Sequence, residues 1–375
     1  MLKGKVNLTL MIGPVVAVPV PKAIIDALTS VTVTTTAGQA SGFQLSFTFS
    51  SKSPLNTLLL LLGQVGPIIR VIIVVTVNGS STVLMDGTIA HHQLSPNVET
   101  GQSVLNVTGV DLTGVMGLID FTGFPYPCMP AEARVALIVA KYAMFGMIPM
   151  VIPSVFMDIP IITERIPLHE GKDIEYVKKL ADEVGYVFYI EPGPTAGMNI
   201  AYWGPEIKVG VPQPALNVNM DAHTNVESLS FSFNGAGTTM PIAFVRIPMT
   251  HVSIPVPVPN VSILNPPLGL IPPIPAQFEM MGDTSHLSTP QVLSRIIGRA
   301  STSTDAVTGQ GTLDVVRYGR ILKARALVGV RGAGEAFNGL YYVKSVTHKI
   351  GRGQYKQDFT LARNGLISTV PKVPA

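Results

Sequence analysis

The sequence predicts a β-rich α+β protein in which two antiparallel β regions flank a smaller α+β module. Strand-type alternation of apolar and polar residues dominates the first and last thirds of the 375-residue chain. One amphipathic helix stands out in the middle third, from Lys172 to Val184. Runs of strands interrupted by one helical module, rather than regular strand–helix alternation, are typical of α+β architectures.

The first third is typical of antiparallel strands. Apolar and polar side chains alternate from Phe43 to Phe49, and Val and Thr alternate from Ser30 to Thr36. The apolar runs Ile68 to Val77 and Thr82 to Ala90 flank Asn78-Gly79. This dipeptide predicts a hairpin, because both of its residues accept a positive φ. Further strands are predicted from Lys3 to Met11 and from Val104 to Val110.

The middle third contains the clearest helix signal. From Lys172 to Val184 the apolar residues form one stripe and the charged residues lie elsewhere, with Gly185 placed to end the helix. Tyr186 to Ile190 and Asn199 to Trp203 are predicted to pair as a hairpin across a Pro-Gly turn. A second helix is expected from Pro130 to Phe145, with the proline near its first turn.

The last third returns to strand patterns, beginning with Val226 to Phe233. The segment from Pro248 to Pro275 is rich in proline, apolar and free of Lys, Arg, Asp and Glu. A disordered linker would normally carry charge or Ser and Gly, so we expect an extended loop pressed against another surface. A short helix is expected from Thr289 to Arg299. Four more strands are predicted at Leu313 to Arg317, Arg320 to Val330, Gly339 to Ile350 and Gln354 to Arg363.

Composition limits the class of function. Hydrophobic residues make up 47% of the chain and charged residues only 13%, against about 25% charge in ordinary soluble domains. Much of the surface must therefore be weakly polar, or covered by a membrane or by partner chains. The net charge of +3 and the lack of a dense Lys/Arg cluster argue against a nucleic-acid-binding surface. Cys128 is the only cysteine, so no intramolecular disulfide can form and a cytosolic site of synthesis is favoured.

Neither a signal peptide nor a membrane helix is the favoured interpretation. Lys3 and Lys5 precede an apolar stretch that resembles a secretory signal, but polar residues and two prolines interrupt it. The apolar run from Leu58 to Leu62 is short, and Arg70 breaks the next one. A spanning helix needs about 20 apolar residues.

The histidine motifs lack the spacing that metal binding requires. His91 and His92 are adjacent in a predicted strand and would point to opposite faces of the sheet. Asp221 and His223 could share a face, but a metal site needs three or more ligands. His169 has no second histidine four residues later, so the zinc-protease motif is absent. We predict no metal site.

No set of residues predicts catalysis or a bound cofactor. Asp283, Ser285 and His286 are close in sequence, but no nucleophile elbow accompanies them. Gly332-Ala333-Gly334 resembles half of a nucleotide-binding fingerprint but lies between predicted strands without a following helix. We predict that the protein is not an enzyme, and a hydrolase using Asp283 or His286 is the least favoured alternative.

Two segments resemble a known family. Asp173 to Gly193 reads DIEYVKKLADEVGYVFYIEPG, and Gly311 to Gly365 contains regularly placed aromatic and glycine residues. The signature residues that carry the resemblance are Tyr176, Leu180, Gly185, Tyr318, Gly319, Gly339, Tyr341, Val343, His348, Tyr355, Phe359, Leu361 and Arg363. These segments are similar to the helix–strand signature and the C-terminal barrel of the late-control D family, the baseplate hub proteins of contractile phage tails and injection systems, related to the hub portion of VgrG.

The resemblance implies a domain organisation. It implies two tube-like antiparallel β-barrel domains with an inserted α+β domain. The first barrel is expected over residues 1–124, the α+β domain over 125–210, and the second barrel over 211–375, with the Pro-rich loop at 248–275.

The resemblance also implies a structural function. A homotrimeric ring of this chain would adapt a six-fold inner tube to a three-fold spike. The implied partners are the inner tube protein, a separate trimeric spike protein and other baseplate components, with no nucleic-acid specificity. The chain would be made in the bacterial cytoplasm and assembled into a phage tail or tail-like particle. The alternative, suggested by the mean hydropathy of +0.40, is a membrane-associated pore or accessory protein.

Overall fold

A computed structural model describes residues 6–49, 68–97, 102–154, 159–163, 166–235, 239–246, 253–257, 266–274, 277–280 and 305–370. Most of these residues lie in strands, and the largest sheet is almost entirely antiparallel. Helices are few and short. The predicted β-rich α+β fold class is confirmed.

The first third folds as predicted into antiparallel strands. Phe43, Leu45 and Phe47 are buried and Gln44 between them is exposed, so the sequence alternation does mark one core face. The predicted hairpin turns at Asn78 and Gly79 with φ of 50° and 83°. The elements are β1 (Val6–Gly13), β2 (Val18–Pro19), α1 (Lys22–Ala27), β3 (Leu28–Thr36), β4 (Gly42–Phe49), β5 (Arg70–Val77), β6 (Ser80–Asn97) and β7 (Gln102–Asp111).

The middle third forms a compact α+β module. Its elements are α2 (Thr113–Met116), α3 (Ala131–Ala140), β8 (Met147–Val151), α4 (Asp173–Val184), β9 (Val187–Pro192) and β10 (Asn199–Gly204). The predicted hairpin is present, because β10 pairs antiparallel with β9, and its other edge pairs parallel with β8. Helix α4 buries Tyr176, Val177 and Leu180 and ends at Gly185.

The helix predicted from Pro130 to Phe145 is shorter than expected. Helix α3 ends at Ala140, and a 3-10 turn over Ala143–Phe145 follows. Gly146, with φ of 71°, then redirects the chain into β8. Residues in the left-handed region cannot continue a right-handed helix.

The last third contains β11 (Gln213–Asn217), β12 (Ser228–Phe233), β13 (Thr239–Arg246), β14 (Ser253–Pro257), β15 (Gly269–Ile271), β16 (Gln277–Met280), β17 (Val307–Asp314), α5 (Val315–Tyr318), β18 (Leu327–Arg331), β19 (Gly339–Gly351), β20 (Gln354–Arg363) and β21 (Leu366–Ser368). The strands predicted from Gly339 to Ile350 and from Gln354 to Arg363 are thus confirmed as β19 and β20. The loop predicted from Pro248 to Pro275 includes the short strands β14 and β15. The helix predicted from Thr289 to Arg299 lies outside the described residues.

Two predicted strands in this third were placed wrongly. The strand predicted over Leu313 to Arg317 ends at Asp314, whose carboxylate accepts hydrogen bonds from the backbone nitrogens of Val316 and Arg317, at 2.8 and 3.0 Å. This N-cap starts helix α5 despite its β-branched residues. The strand predicted from Arg320 begins only at Leu327, because Arg325 has φ of 61° and breaks the extended path.

A single 13-stranded sheet joins the two β regions. Its order is β12-β17-β20-β19-β3-β4-β7-β6-β5-β1-β2, with β18 pairing β19 and β11 pairing β18. The seam is the antiparallel pair β3–β19, in register from Ser345 opposite Thr36 to Gly351 opposite Ser30. On the edge of β19 that pairs with β3, the first residues, from Gly339 to Tyr342, pair with β18. The N-terminal and C-terminal thirds therefore share one sheet.

The apolar residues form two principal cores. The larger core runs through both β regions and includes Phe47, Leu45 and Tyr341. The second core lies in the α+β module, around Trp203, Tyr176 and Val135. No helix among the described residues has the length and apolar character needed to span a membrane.

Gly185 provides a stability test of the α4 terminus. Its φ is 69°, a conformation that costs a residue with a Cβ about 1–2 kcal/mol. We expect Gly185→Ala to lower the free energy of unfolding by about that amount, measured by urea denaturation. Gly351→Ala is the matched control, since a Cβ there meets no atom within 4 Å and its φ is not positive. Equal effects of the two substitutions would contradict this account.

Candidate functional site

The signature residues lie in the interior, in two places. Tyr176 and Leu180 lie on α4, which ends at Gly185. The others lie on α5 and its C-cap, on β19 and on β20: Tyr318, Gly319, Gly339, Tyr341, Val343, His348, Tyr355, Phe359, Leu361 and Arg363. Every signature residue other than the glycines has its side chain buried. Surfaces for partners must therefore be formed by other residues.

Tyr176 belongs to an aromatic cluster at the base of the α+β module. Its ring stacks on Tyr126 at 6.0 Å between centroids and lies 4.4 Å from the ring of His169. Arg134 donates a hydrogen bond to the Tyr176 hydroxyl. Burial raises the pKa of Tyr176, so the hydroxyl stays protonated. The cluster fastens the segments before α3 and before α4 against α4 itself.

The carboxylate of Asp173 is buried at the start of α4 and is fully paired. Lys141 Nζ lies 2.7 Å from one carboxylate oxygen, and the Tyr142 hydroxyl donates to it at 2.6 Å. His169 Nε2 lies 3.4 Å from the other oxygen. Burial lowers the pKa of His169, so its imidazole is neutral at pH 7. Since His169 and Asp173 are sealed from solvent, this group has no access to a substrate.

Arg363 is buried, and it forms no ion pair with a carboxylate among the described residues. Its guanidinium donates to the backbone oxygens of Ala336, Asn338 and Gly365, at 2.6–2.8 Å. It also lies 4.5 Å from the centre of the Tyr341 ring. Burial lowers the pKa of Arg363, while its five donors allow three carbonyl contacts at once. Arg363 therefore holds the turn before β19 against the end of β20.

His348 of β19 forms another buried polar group, with side chains of β20. Its Nδ1 lies 2.8 Å from the Tyr355 hydroxyl and 3.4 Å from Gln357 Nε2. The Gln357 amide bonds both the backbone nitrogen and the backbone oxygen of Leu322, at 3.0 and 2.8 Å. Burial lowers the pKa of His348 to about 4, so the ring is neutral near pH 7.

Tyr318 and Gly319 connect the second β region to its surroundings. The Tyr318 hydroxyl donates to the backbone oxygen of Pro214 at 2.6 Å. Gly319 ends α5 with φ of 82°, and its carbonyl accepts from Asn78 Nδ2 at 3.1 Å. The tip of the first hairpin is thereby tied to the second β region.

A buried ion pair joins the first β region to the α+β module. Arg70 contacts Asp86 through two hydrogen bonds of 2.7 Å, and both side chains are at most 5% exposed. Arg70 also donates to the backbone oxygens of Val15, Phe145 and Gly197. Asn199 donates to Asp86 at 2.8 Å. This ion pair was not predicted from the sequence, although the lone charge in each of the two hairpin strands could have indicated it.

Arg325 connects all three parts of the chain. Its Nη2 donates to the backbone oxygen of Thr36 at 2.9 Å. Its guanidinium carbon lies 3.9 Å from the centre of the Tyr189 ring, a cation–π contact. Arg325 precedes β18, Thr36 ends β3 and Tyr189 lies in β9, so the three parts pack as one body around this side chain.

The α+β module carries an exposed apolar strip. The segments over 118–125 and 166–172 run antiparallel, with Asp120 opposite Lys172 and Pro125 opposite Leu168. Their apolar side chains remain 45–57% exposed: Leu118, Ile119, Phe124, Ile166 and Leu168. Contiguous exposed apolar groups of this kind usually mark interaction sites.

The 13-stranded sheet has open edges in the described part of the chain. Strand β12 ends the sheet on one side, and the Phe233 side chain there is 43% exposed. On the other side, β1 pairs with β2 only at Met11 and Ile12, and the Leu10 carbonyl accepts from the Val20 backbone nitrogen at 3.0 Å. The outer edge from Val6 to Thr9 has no strand partner among the described residues. Unpaired edges readily accept another strand.

The remaining polar motifs form no chemical site among the described residues. His91 and His92 are exposed on β6, and Asp221 and His223 are exposed on a single 3-10 turn. No cluster of three or more potential metal ligands occurs in the described residues. Gly332 and its neighbours form a turn between β18 and β19. The residues of the alternative hydrolase hypothesis, Asp283, Ser285 and His286, lie outside the described residues.

The fold is similar to those of solved tail proteins over nearly its whole length. A tail protein from Neisseria meningitidis MC58 superposes with a TM-score of 0.63 at 11% identity, covering 97% of this chain and 98% of that chain. The 43 kDa tail protein of prophage MuSo2 from Shewanella oneidensis gives 0.60 at 11% identity, covering 95% and 98%. The fold predicted from the signature residues is therefore confirmed.

A chain of a VgrG-containing complex shares the fold as well. A chain of the Francisella PdpA–VgrG complex superposes with a TM-score of 0.60 at 9% identity, covering 99% of this chain and 60% of that chain. No protein-family model matches the sequence. No curated protein sequence matches it significantly either. The similarity thus lies in the three-dimensional fold.

Proposed function

We propose that this chain is the structural baseplate hub of a contractile phage tail or injection system. The observation that carries the proposal is the correspondence of fold with tail proteins over nearly the full length of both chains. At 11% identity the fold is retained without the sequence, so the function is carried to this chain by proposal. The buried signature residues agree with a structural role.

The proposed assembly is a homotrimeric ring between a six-fold tube and a three-fold spike. Each chain places two β regions side by side in one sheet through the β3–β19 seam, so three chains supply six β units. The open edges at β12 and β1 differ from each other, which suits head-to-tail contacts that close a ring. The weakly charged composition agrees with large permanent interfaces.

The apolar strip and the domain boundaries belong to the same proposal. We assign the strip on the α+β module to a neighbouring baseplate component, because it is exposed and lies outside both β regions. The signature residues act as interior supports for these surfaces. The proposed domains are residues 1–124, 125–210 and 211–375, and the protein acts without catalysis or a cofactor.

The ring can be tested on the purified chain. We expect light scattering to give three times the chain mass of 39.9 kDa, and electron microscopy to show a three-fold ring. Phe233→Lys, which puts a charge at the β12 edge, should weaken trimer formation at least about a hundredfold. Met144→Lys is the control: Met144 is 64% exposed in the α+β module, away from that edge. A wild-type monomer or dimer would contradict the proposal.

A further inference from the structure

Strand β6 has an open edge of its own, separate from those of β1 and β12. Its pairing with β5 ends at Thr88 opposite Arg70, and one more hydrogen bond joins the Ile89 nitrogen to the Ile69 oxygen at 3.0 Å. Over 91–97, β6 continues to pair with β7 on one side. The other side of this part of β6 has no strand partner among the described residues.

The hydrogen bonds of β7 show which backbone groups of β6 point to this open edge. The Asp111 nitrogen donates to the Ser41 oxygen on the β4 side, so Thr108 and every second residue before it face β6. The residues of β6 opposite these are His91, Gln93 and Ser95. Opposite residues of an antiparallel ladder either face each other or face apart. His92 and Leu94 therefore direct their N–H and C=O groups to the open edge.

This row of backbone groups identifies the kind of molecule that fits it. Pro96 continues the row with a carbonyl but no N–H, so pairing along the edge ends there. The free groups repeat every second residue, at about 6.8 Å, twice the rise per residue of a strand. An extended polypeptide backbone supplies complementary donors and acceptors at that spacing. The occupant is thus a β-strand.

The side chains along the edge define the strand further. Leu94 lies opposite Leu105, which is fully buried, so Leu94 is on the core face of the sheet, yet it is 45% exposed. An apolar side chain of an added strand would cover it. From residue 89 to 97, β6 contains no Lys, Arg, Asp or Glu, the residues that commonly prevent an open edge from pairing. The edge is therefore matched by an uncharged strand.

We propose that the open edge of β6 from His92 to Pro96 binds an uncharged extended strand of another protein, antiparallel, as β5 is on the same edge. The apolar residues of that strand lie beside Leu94 and bond to the backbone of His92 and Leu94. The assignment to another protein rests on the proposed ring, because a second copy makes its contacts there through β1 and β12. Within a tail, the strand belongs to an adjoining baseplate component.

The probe is an uncharged heptapeptide amide, Thr-Val-Gln-Val-Thr-Val-Gln, with an uncharged methoxycoumarin cap. Fluorescence anisotropy with the full-length protein should show saturable binding. Leu94→Pro removes an N–H that faces the open edge and leaves the β6–β7 ladder intact, so we expect binding to weaken at least about tenfold. Leu94→Ala, which keeps this N–H, is the matched control and should stay within about threefold of the wild type. Circular dichroism checks that both variants fold.

A second arm uses the wild-type protein alone, so it does not depend on the folding of a variant. In the proposed pairing the valines of the probe bond to β6, and the residues between them face away. Methylation of the central valine nitrogen should therefore weaken binding at least about tenfold. Methylation of the nitrogen of the next threonine should change the affinity less than about threefold.

The outcomes separate this inference from the proposed ring. It is overturned if the wild type shows no saturable binding, if Leu94→Pro binds like the wild type, or if the two methylated peptides bind equally well. It is also overturned if Leu94→Pro lowers the mass of the wild-type assembly in light scattering, since a second copy then occupies the edge. A trimer that does not bind the probe contradicts this inference alone, and a monomer that binds it contradicts the ring alone.

Discussion

Replacing Arg70 with methionine is expected to lower the free energy of unfolding by about 3–5 kcal/mol, since breaking a buried ion pair leaves an unpaired charge. The Asp86 side chain is fully buried. Without Arg70, it would still accept a hydrogen bond from Asn199 Nδ2. Three backbone oxygens would also lose the hydrogen bond that Arg70 donates to each of them. Chemical denaturation followed by circular dichroism measures this loss.

The Arg70 effect has a specific internal control. The double substitution Arg70→Met with Asp86→Leu removes both charges, and we expect it to be less destabilised than Arg70→Met alone by at least about 1 kcal/mol. The hydrogen bonds from Arg70 connect β5 to the α+β module, so proteolysis of Arg70→Met should begin in that module. A loss below about 1 kcal/mol for Arg70→Met would show that the pair does not hold the two parts together.

Acidification is expected to destabilise the protein through His348. Its pKa is 6.5 when exposed in the unfolded chain and about 4 in the folded protein. Between these values the unfolded state binds more protons, so stability falls as the pH falls. The stability that the neutral His348 ring contributes is fully present above pH 6.5 and is lost by about pH 4. At 1.36 kcal/mol per pKa unit, this loss is about 3 kcal/mol.

The difference between wild type and His348→Leu isolates this effect from other titrating groups. Unfolding free energies at pH 7, 5.5 and 4 should fall more steeply for the wild type, by about 3 kcal/mol over the whole range. The substitution also removes the partner of the Tyr355 hydroxyl, but that loss is the same at each pH. Parallel pH profiles for the two proteins would show that His348 is already protonated in the fold.

Local sequence patterns predicted the local elements well. The strand from Phe43 to Phe49 and the turn at Asn78-Gly79 could be predicted, because the geometry of each depends only on residues adjacent in sequence. The strand predicted over Leu313 to Arg317 was wrong for an equally local reason, because helix α5 begins there. Val315 and Val316 favour a strand, yet the side chain of Asp314 caps the first turn of a helix. The cap was visible in the sequence and outweighed intrinsic propensity.

Long-range relations could not be predicted from the sequence. No pattern indicates that β3 pairs with β19, because both strands are equally compatible with other partners. The role of His348 depends on Gln357 and Leu322, which meet only after that sheet forms. The signature residues predicted the fold, but those other than the glycines are buried, so they say nothing about the surface of the protein.

The β3–β19 seam sets the order in which this chain can fold during synthesis. The hydroxyls of Thr34 and Thr347 lie 3.1 Å apart although 313 residues separate them in sequence. The ribosome therefore releases β3 long before β19 exists, and the waiting edge of β3 is open to pairing with other nascent chains. Closure of so long a loop is intrinsically slow. Yield in the cell should consequently depend on translation speed and chaperone supply more than on the stability of the finished protein.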